Sequence, residues 1–279
     1  MNHSAETRPA GAVKTLVVED VEFSFRWAPP GTFTMGSPET ELYRNRNEVL
    51  REVTFESGFW ILATPVTQRQ FMLTKKRNPA AFCSTGARRR YVVGLDTSEF
   101  PIENISWNAA ATFCRKFSQK LRKAKEPFYF DLPTEEEWEY ACRAGTETAF
   151  PWGSSLNGDK ANCRGTLQYG TREKGPWLRR TTPVRSYPPN PWGLYDMNGN
   201  VFEFCSDWYG APPEGVATDP TGPAEKADDH WRLQGRIIRG GSWESVAGSC
   251  LSSVRDCASP YHNFHQGYVG FRIALGRPY

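Results

Sequence analysis

Leu132–Gly145 reads LPTEEEWEYACRAG. Thr134 followed three residues later by Glu137 is the pattern of a capping box, in which the two side chains satisfy backbone N–H groups at the open end of a helix. Three consecutive glutamates, Glu135 to Glu137, put negative charge at the positive end of the helix dipole, and Gly145 suits the left-handed turn that ends it. The stretch therefore predicts a short amphipathic helix. Upstream, Ser106 N-caps a longer one reaching about Lys123, with Trp107, Ala110, Cys114, Phe117 and Leu121 spaced by three and four on one face. Thr67-Gln-Arg-Gln70 is a further capping box, opening a short helix through Phe71 and Leu73.

Strands flank these helices. Val17, Val21, Phe23 and Phe25 alternate roughly with polar residues, and Gly31–Ser37 (GTFTMGS) is a short strand between turn glycines. From Phe150 onward no helical period survives. Gly, Pro, Asn and Trp punctuate strand-like pieces at Gly199–Phe204 and Tyr268–Leu275, and residues 211–229 (APPEGVATDPTGPAEKADD) form an expected surface loop. The order of elements predicts an α+β fold with little regular secondary structure. Residues 1–15 are expected to be a flexible leader and 16–279 a single domain.

The 279 residues suffice for one large core, and 24 Gly with 21 Pro fit a folded chain rich in turns. A net charge of +3 gives no reason to expect a nucleic-acid partner, so Lys75–Arg77 and Arg88–Arg90 are read as solvated basic faces. The amino-terminal residues lack the apolar core of a signal peptide, and no later run reaches membrane-spanning length. No membrane partner and a cytoplasmic location are expected. The seven cysteines, at 83, 114, 142, 163, 205, 250 and 257, lack zinc-type spacing; Cys114 and Cys142, on helix faces, are expected to be buried thiols.

Eight blocks occur in order: GTFTMGS, PVTQRQF, PIENISWNAAATFC, LPTEEEWEYACRAG, FPWG, NPWGLYDMNGNVFEFCSDWY, RGGSW and GFRIA. Together they resemble the signature blocks of the formylglycine-generating enzyme and sulfatase-modifying-factor family over roughly residues 28 to 275. The resemblance implies a variant of the C-type lectin fold and, in the enzymes, bound calcium. Calcium prefers oxygen donors, and the resemblance places Asn198, Asn200 and Glu203 as its ligands. A second calcium site would include Asn162, but no aspartate follows in REKGPW.

The enzymes of this family hold Cu(I) between two thiolates spaced C-x4-C after the RGGSW-like turn. Here the first position, two after Trp243, is Ser245. Counting without gaps puts Cys250 second, whereas a fit anchored on Arg255 and GFR leaves Cys250 matching neither. A hydroxyl is a poor ligand for a soft ion, so copper is not expected. Cys250 and Cys257 stand as candidates for a replacement pair, and His262 and His265 as surface or pocket histidines.

Two functions follow. In the first, the chain is a non-catalytic protein that binds a protein or peptide ligand through residues 245–268. Ser245, Ser249, Ser252, Asp256, Tyr261, His262, Asn263, Phe264, His265 and Tyr268 supply the mixture of aromatic and small hydrogen-bonding side chains found in adaptable recognition surfaces. This segment also resembles the diversified cassette of retroelement variable proteins. Adenine mutation of AAC or AAT codons never yields Lys, Glu, Gln, Met or Trp, and between Ser245 and Tyr268 only Gln266 belongs to that set. Arg239, Trp243, Arg255 and Arg272 are read as scaffold, the arginines paired internally and Trp243 filling the core beneath. In the second, the chain is a metal- and oxygen-dependent oxidase with an altered site.

Overall fold

The computed structural model describes residues 8–123, 128–212, 215–222, 235–263 and 267–275. The chain opens with β1 (Val13–Val18) and β2 (Val21–Ala28), then β3 (Gly31–Met35), β4 (Arg51–Phe55) and β5 (Phe59–Leu62). Helices α1 (Gln68–Met72), α2 (Trp107–Lys123) and α3 (Glu135–Arg143) follow, with the short β6 (Phe130–Asp131) between the last two. The remainder contributes β7 (Phe202–Trp208), β8 (Ala217–Thr218), β9 (Arg236–Arg239), β10 (Arg255–Ala258), β11 (Val269–Phe271) and β12 (Ala274–Leu275).

The strands make three sheets, ordered β1-β2-β5-β12-β6, β10-β9-β7-β11 and β3-β4-β8. The fold is α+β, as the order of elements predicts. Chain ends meet in the first sheet: β12 pairs antiparallel with β5, setting Ala274 opposite Ile61, while β11 runs parallel to β7. The strand β1 begins inside the segment expected to be loose, because Val13 to Val18 pair with Arg26 to Val21 along their whole length. Residues 13–15 of the segment expected to be a flexible leader thus belong to β1. Of the expected loop 211–229, only 211–212 and 215–222 lie among the described residues, and they include β8, paired with β4.

Both capping boxes form as their spacing requires. Thr67 Oγ1 accepts from Gln70 N and Gln70 Oε1 from Thr67 N; Thr134 Oγ1 accepts from Glu137 N (3.1 Å) and Glu137 Oε2 from Thr134 N (3.0 Å). Helix α3 ends on Ala144 in the left-handed region, with Gly145 next at φ +85°. Thr134→Ala is expected to cost about 1 kcal/mol, the usual value of such a cap, read as a lower urea midpoint at unchanged slope. A variant indistinguishable from the parent would show that packing alone sets the start of α3.

The apolar face of α2 closes the main core: Phe113 stacks on Phe117 (5.6 Å between centroids), and Phe117 lies 4.4 Å from Phe23 of β2. A second cluster around Trp138 and Tyr140 fills the space between α3, β3 and β4. Smaller clusters lie beneath the carboxy-terminal turn, one around Phe150, Cys163, Tyr169 and Cys250, the other around Phe82, Phe100 and Trp243. No helix among the described residues is long and apolar enough to cross a membrane.

Candidate functional site

The carboxylates of α3 anchor the carboxy-terminal segment. Arg239, fully buried, reaches Glu135 (2.9 Å) and Glu139 and donates to the carbonyls of Ser252 (2.7 Å) and Ser253 (3.2 Å). Arg255 grips both oxygens of Glu135 (2.6 and 2.8 Å), Arg143 pairs with Glu139 (2.8 Å) and Arg51 with Glu136. Of the glutamates read as partners of the helix dipole, Glu135 and Glu136 are thus also the buried ends of ion pairs, while Glu137 closes the capping box. Arg239 and Arg255 hold Glu135 below the usual carboxylate range despite its burial. The scaffold reading of Arg239, Trp243, Arg255 and Arg272 agrees with this geometry: Trp243 is 1% exposed and donates to Gly267 O (2.7 Å).

Glu48 ties in a second loop. Its buried carboxylate accepts from Ser37 Oγ (2.8 Å), Asn45 Nδ2 (2.8 Å) and Ser253 Oγ (2.9 Å). Residues 38–50 are thereby fastened to the segment after the RGGSW turn, and they raise Tyr43 beside it, 81% exposed, at φ +60°. A bulky side chain at positive φ is costly and persists only where the surroundings impose it. The Tyr43 ring lies 6.2 Å from Tyr169, and the φ-strained loop brings Leu42 (59% exposed) alongside. Ala247 N donates to Leu167 O (3.0 Å), which places Leu167 and Val246 at the same rim. Between this loop and β10 lies an open cleft of about 450 Å³, lined by Asn45, Arg46, Tyr209, Ser249, Val254 and Asp256.

The expected ligand-binding residues divide. Ser245 and Ser249 are half-buried at the rim, Asp256, Tyr261, His262 and Asn263 are exposed, and Tyr268 is half-buried against Phe202. Phe264 and His265 lie outside the described residues. Ser252 is corrected: it is fully buried, its Oγ 3.5 Å from Cys142 Sγ and its carbonyl bound by Arg239, so no ligand reaches it. Leu42, Tyr43 and Leu167 were not legible as site residues, because their place beside Val246 depends on Glu48 and on the pairing of residues 164 and 246.

The metal expectations meet a donor set already engaged. Glu203, fully buried, gives both oxygens to Arg272 (2.6 and 2.7 Å) and one to Trp138 Nε1 (2.7 Å). Asn198 donates to Cys250 O (2.8 Å) and faces Cys142 Sγ. Asn200 Oδ1 accepts from Thr182 N and Asn162 Nδ2, while its Nδ2 donates to Thr182 O and Asp196 Oδ1. The three donors thus face different partners, and the charge of Glu203 is matched by the Arg272 guanidinium. The residues expected to hold calcium, Asn198, Asn200 and Glu203, are all engaged with protein groups. Asn162, likewise, donates to Asn200, Thr182 and Arg180 O. Burial pushes the neighbouring Asp196 up to about 6.

The thiolate pair has no counterpart. Ser245 Oγ accepts from Ser242 N (3.0 Å) and lies 3.1 Å from Ser242 Oγ. Cys250 is fully buried under Gly241, where a Cβ would meet its sulfur at 2.5 Å. Its pKa is pushed well above the usual thiol range, first by a hydrogen bond with the Cys163 thiol and then by burial. Cys257 is elsewhere, on β10 against Gly235, so the expected pairing of Cys250 with Cys257 is corrected. The sulfur beside Cys250 is that of Cys163, 87 positions earlier in sequence and brought there by the bonding of Arg164 N to Ser245 O (2.8 Å). Ser245 offers a hydroxyl where the copper pair of the family needs a thiolate, and a hydroxyl is a poor ligand for Cu(I).

Three comparisons locate this arrangement among known proteins. Over 88% of its length the chain is 29% identical to serine/threonine-protein kinase pkn1 of Chlamydia caviae, of which it spans 37%. It thus covers little more than a third of that relative. It is 28% identical to the formylglycine-generating enzyme of Mus musculus, covering 88% of this chain and 73% of the enzyme. Among solved structures, Treponema denticola variable protein 1 superposes with a TM-score of 0.75 at 27% identity, covering 95% of this chain and 99% of the other. Residues 21–276 match the profile of the sulfatase-modifying factor enzyme 1-like domain, and the chain belongs to that family.

Proposed function

We propose that this chain is a non-catalytic ligand-binding member of its family, taking a protein or peptide on the surface formed by residues 38–50 and 245–263. The observation that carries the reading is the state of the sulfur: Cys250 is sealed under Gly241 and Ser245 stands where a second thiolate would be needed. Tyr43 of the loop 38–50, Val246 after the RGGSW turn and Tyr261 after β10 are exposed to solvent, 81%, 40% and 72%. Rigid aromatic side chains among small polar ones give contact area at low entropic cost. The likeness to a variable protein favours a further step, in which residues 245–268 differ between copies of this gene. We place the protein in the cytoplasm with no membrane partner.

The test has two arms. Purified protein supplied with Cu(I) and a cysteine-containing peptide is expected to consume no oxygen above background. Random peptides selected on the parent are expected to lose binding to a Tyr43→Ala/Val246→Glu variant that keeps the parent melting temperature. Oxygen-dependent peptide oxidation, or stoichiometric copper lost on replacing either Cys163 or Cys250 by Ser, would overturn the proposal in favour of an oxidase.

A further inference from the structure

Six arginines border the RGGSW turn, and their arrangement says what kind of ligand the surface takes. Arg88 lies over the Trp243 and Phe82 rings (5.1 and 5.6 Å), Arg90 over Tyr91 (4.9 Å) and Arg180 over Phe100 (5.9 Å). Phe82, Phe100 and Trp243 belong to one apolar cluster, with Tyr91 packed against it, so these three guanidiniums surround a single platform. Beyond Ser245, Arg164 and Arg179 sandwich Trp177 at 4.5 and 4.6 Å. Arg164 is fixed there by its backbone bond to Ser245 O and its bridge to Val246. Arg89, exposed, completes the set.

None of the six forms an ion pair with another described residue, whereas Arg51, Arg143, Arg239, Arg255 and Arg272 all do. Two acids lie nearby, and Glu103 interacts with Arg88 through space without forming an ion pair with it. Glu103 is buried, with its oxygens accepting from Ala81 N and Phe82 N, and Glu244 is the acid on the turn itself. A guanidinium laid on an aromatic ring loses little mobility on binding and keeps N–H groups for the fork of a carboxylate, although Arg90 and Arg180 each give one to Tyr91 Oη and Thr181 O.

We infer that the ligand of this surface is an acidic protein segment, its Asp and Glu carboxylates seated on the arginines around Trp243 and Trp177. The inference rests on the ligand-binding reading above and narrows it. Carboxylate is favoured over nucleic-acid phosphate because the chain's net charge is only +3, without the strong basic excess of a nucleic-acid-binding domain.

Fluorescence anisotropy of the full-length protein tests this with three labelled probes: a peptide of alternating Glu and Tyr, the same peptide with Lys for Glu, and a DNA duplex. The Glu peptide is expected to bind best and to weaken with added salt. Arg164→Gln/Arg179→Gln is expected to weaken it about tenfold, and Arg88→Gln/Arg180→Gln comparably. Arg115→Gln/Lys116→Gln on α2 serves as control and is expected to leave binding unchanged. Equal binding of Glu and Lys peptides, equal loss in the control, or tighter binding of the duplex through the same arginines would each overturn the inference. Selected peptides that are not acidic yet still depend on Tyr43 and Val246 would remove this inference and leave the ligand-binding reading standing.

Discussion

Arg239→Met is expected to lower stability by about 3–5 kcal/mol, the range for breaking a buried ion pair from one side. The change strips the shared cation from Glu135 and Glu139 and leaves the Ser252 and Ser253 carbonyls without their donor. Glu135 would keep Arg255, and Glu139 would keep Arg143 and Gly36 N. Because Arg239 joins α3 to the chain beneath the recognition turn, the loss extends to function: peptide binding should weaken even under conditions where the variant remains folded. Arg239→Lys should rescue little of it, since a point ammonium cannot span two carboxylates and two carbonyls as a planar fork does. Urea unfolding of the three proteins measures this. A loss below about 1 kcal/mol for the Met variant would show that the network is dispensable.

The second large effect lies at Arg272. Arg272→Met removes the bidentate partner of Glu203 and the donors to Leu62 O and Tyr195 O (both 2.8 Å), in a place with no exposure to water. Glu203 would keep only the Trp138 indole. A loss of about 3–5 kcal/mol is again expected. Here the comparison with calcium decides a question of chemistry. Because Arg272 supplies the positive charge, the parent's melting temperature should not move on adding calcium or a chelator, and calcium should not rescue the variant. Rescue at millimolar calcium would instead identify Glu203 as a metal ligand.

What could be read in advance was short-range. The boxes at Thr67 and Thr134 involve backbone groups three residues apart, so no distant element has to be known for them to form. The α2 stripe follows from helical pitch alone. Reading failed where a residue's partner is far along the chain. Glu135 finds Arg239 and Arg255 at separations of 104 and 120 residues, and Glu136 finds Arg51 at 85. Nothing local distinguishes these glutamates from solvated ones. The Asn-rich stretch before Glu203 carries the oxygen donors of a calcium site, yet Arg272, 69 positions later, neutralises the carboxylate. Ser252 looked like any small polar loop residue until Arg239 and Cys142 closed over it.

The amino-acid sequence by itself determined the helices, the α+β order, the family, and the lack of a second thiolate after Trp243, because each depends on identity or on near-neighbour spacing. Tertiary structure alone decided which polar residues are spent inside and which face a ligand. It set Cys163 against Cys250, lifted Tyr43 beside Val246 and left six arginines near the RGGSW turn without an ion pair among the described residues. Burial and charge pairing are properties of the assembled fold: the cost of a desolvated group, and its cancellation, depend on whatever side chain packing brings next to it.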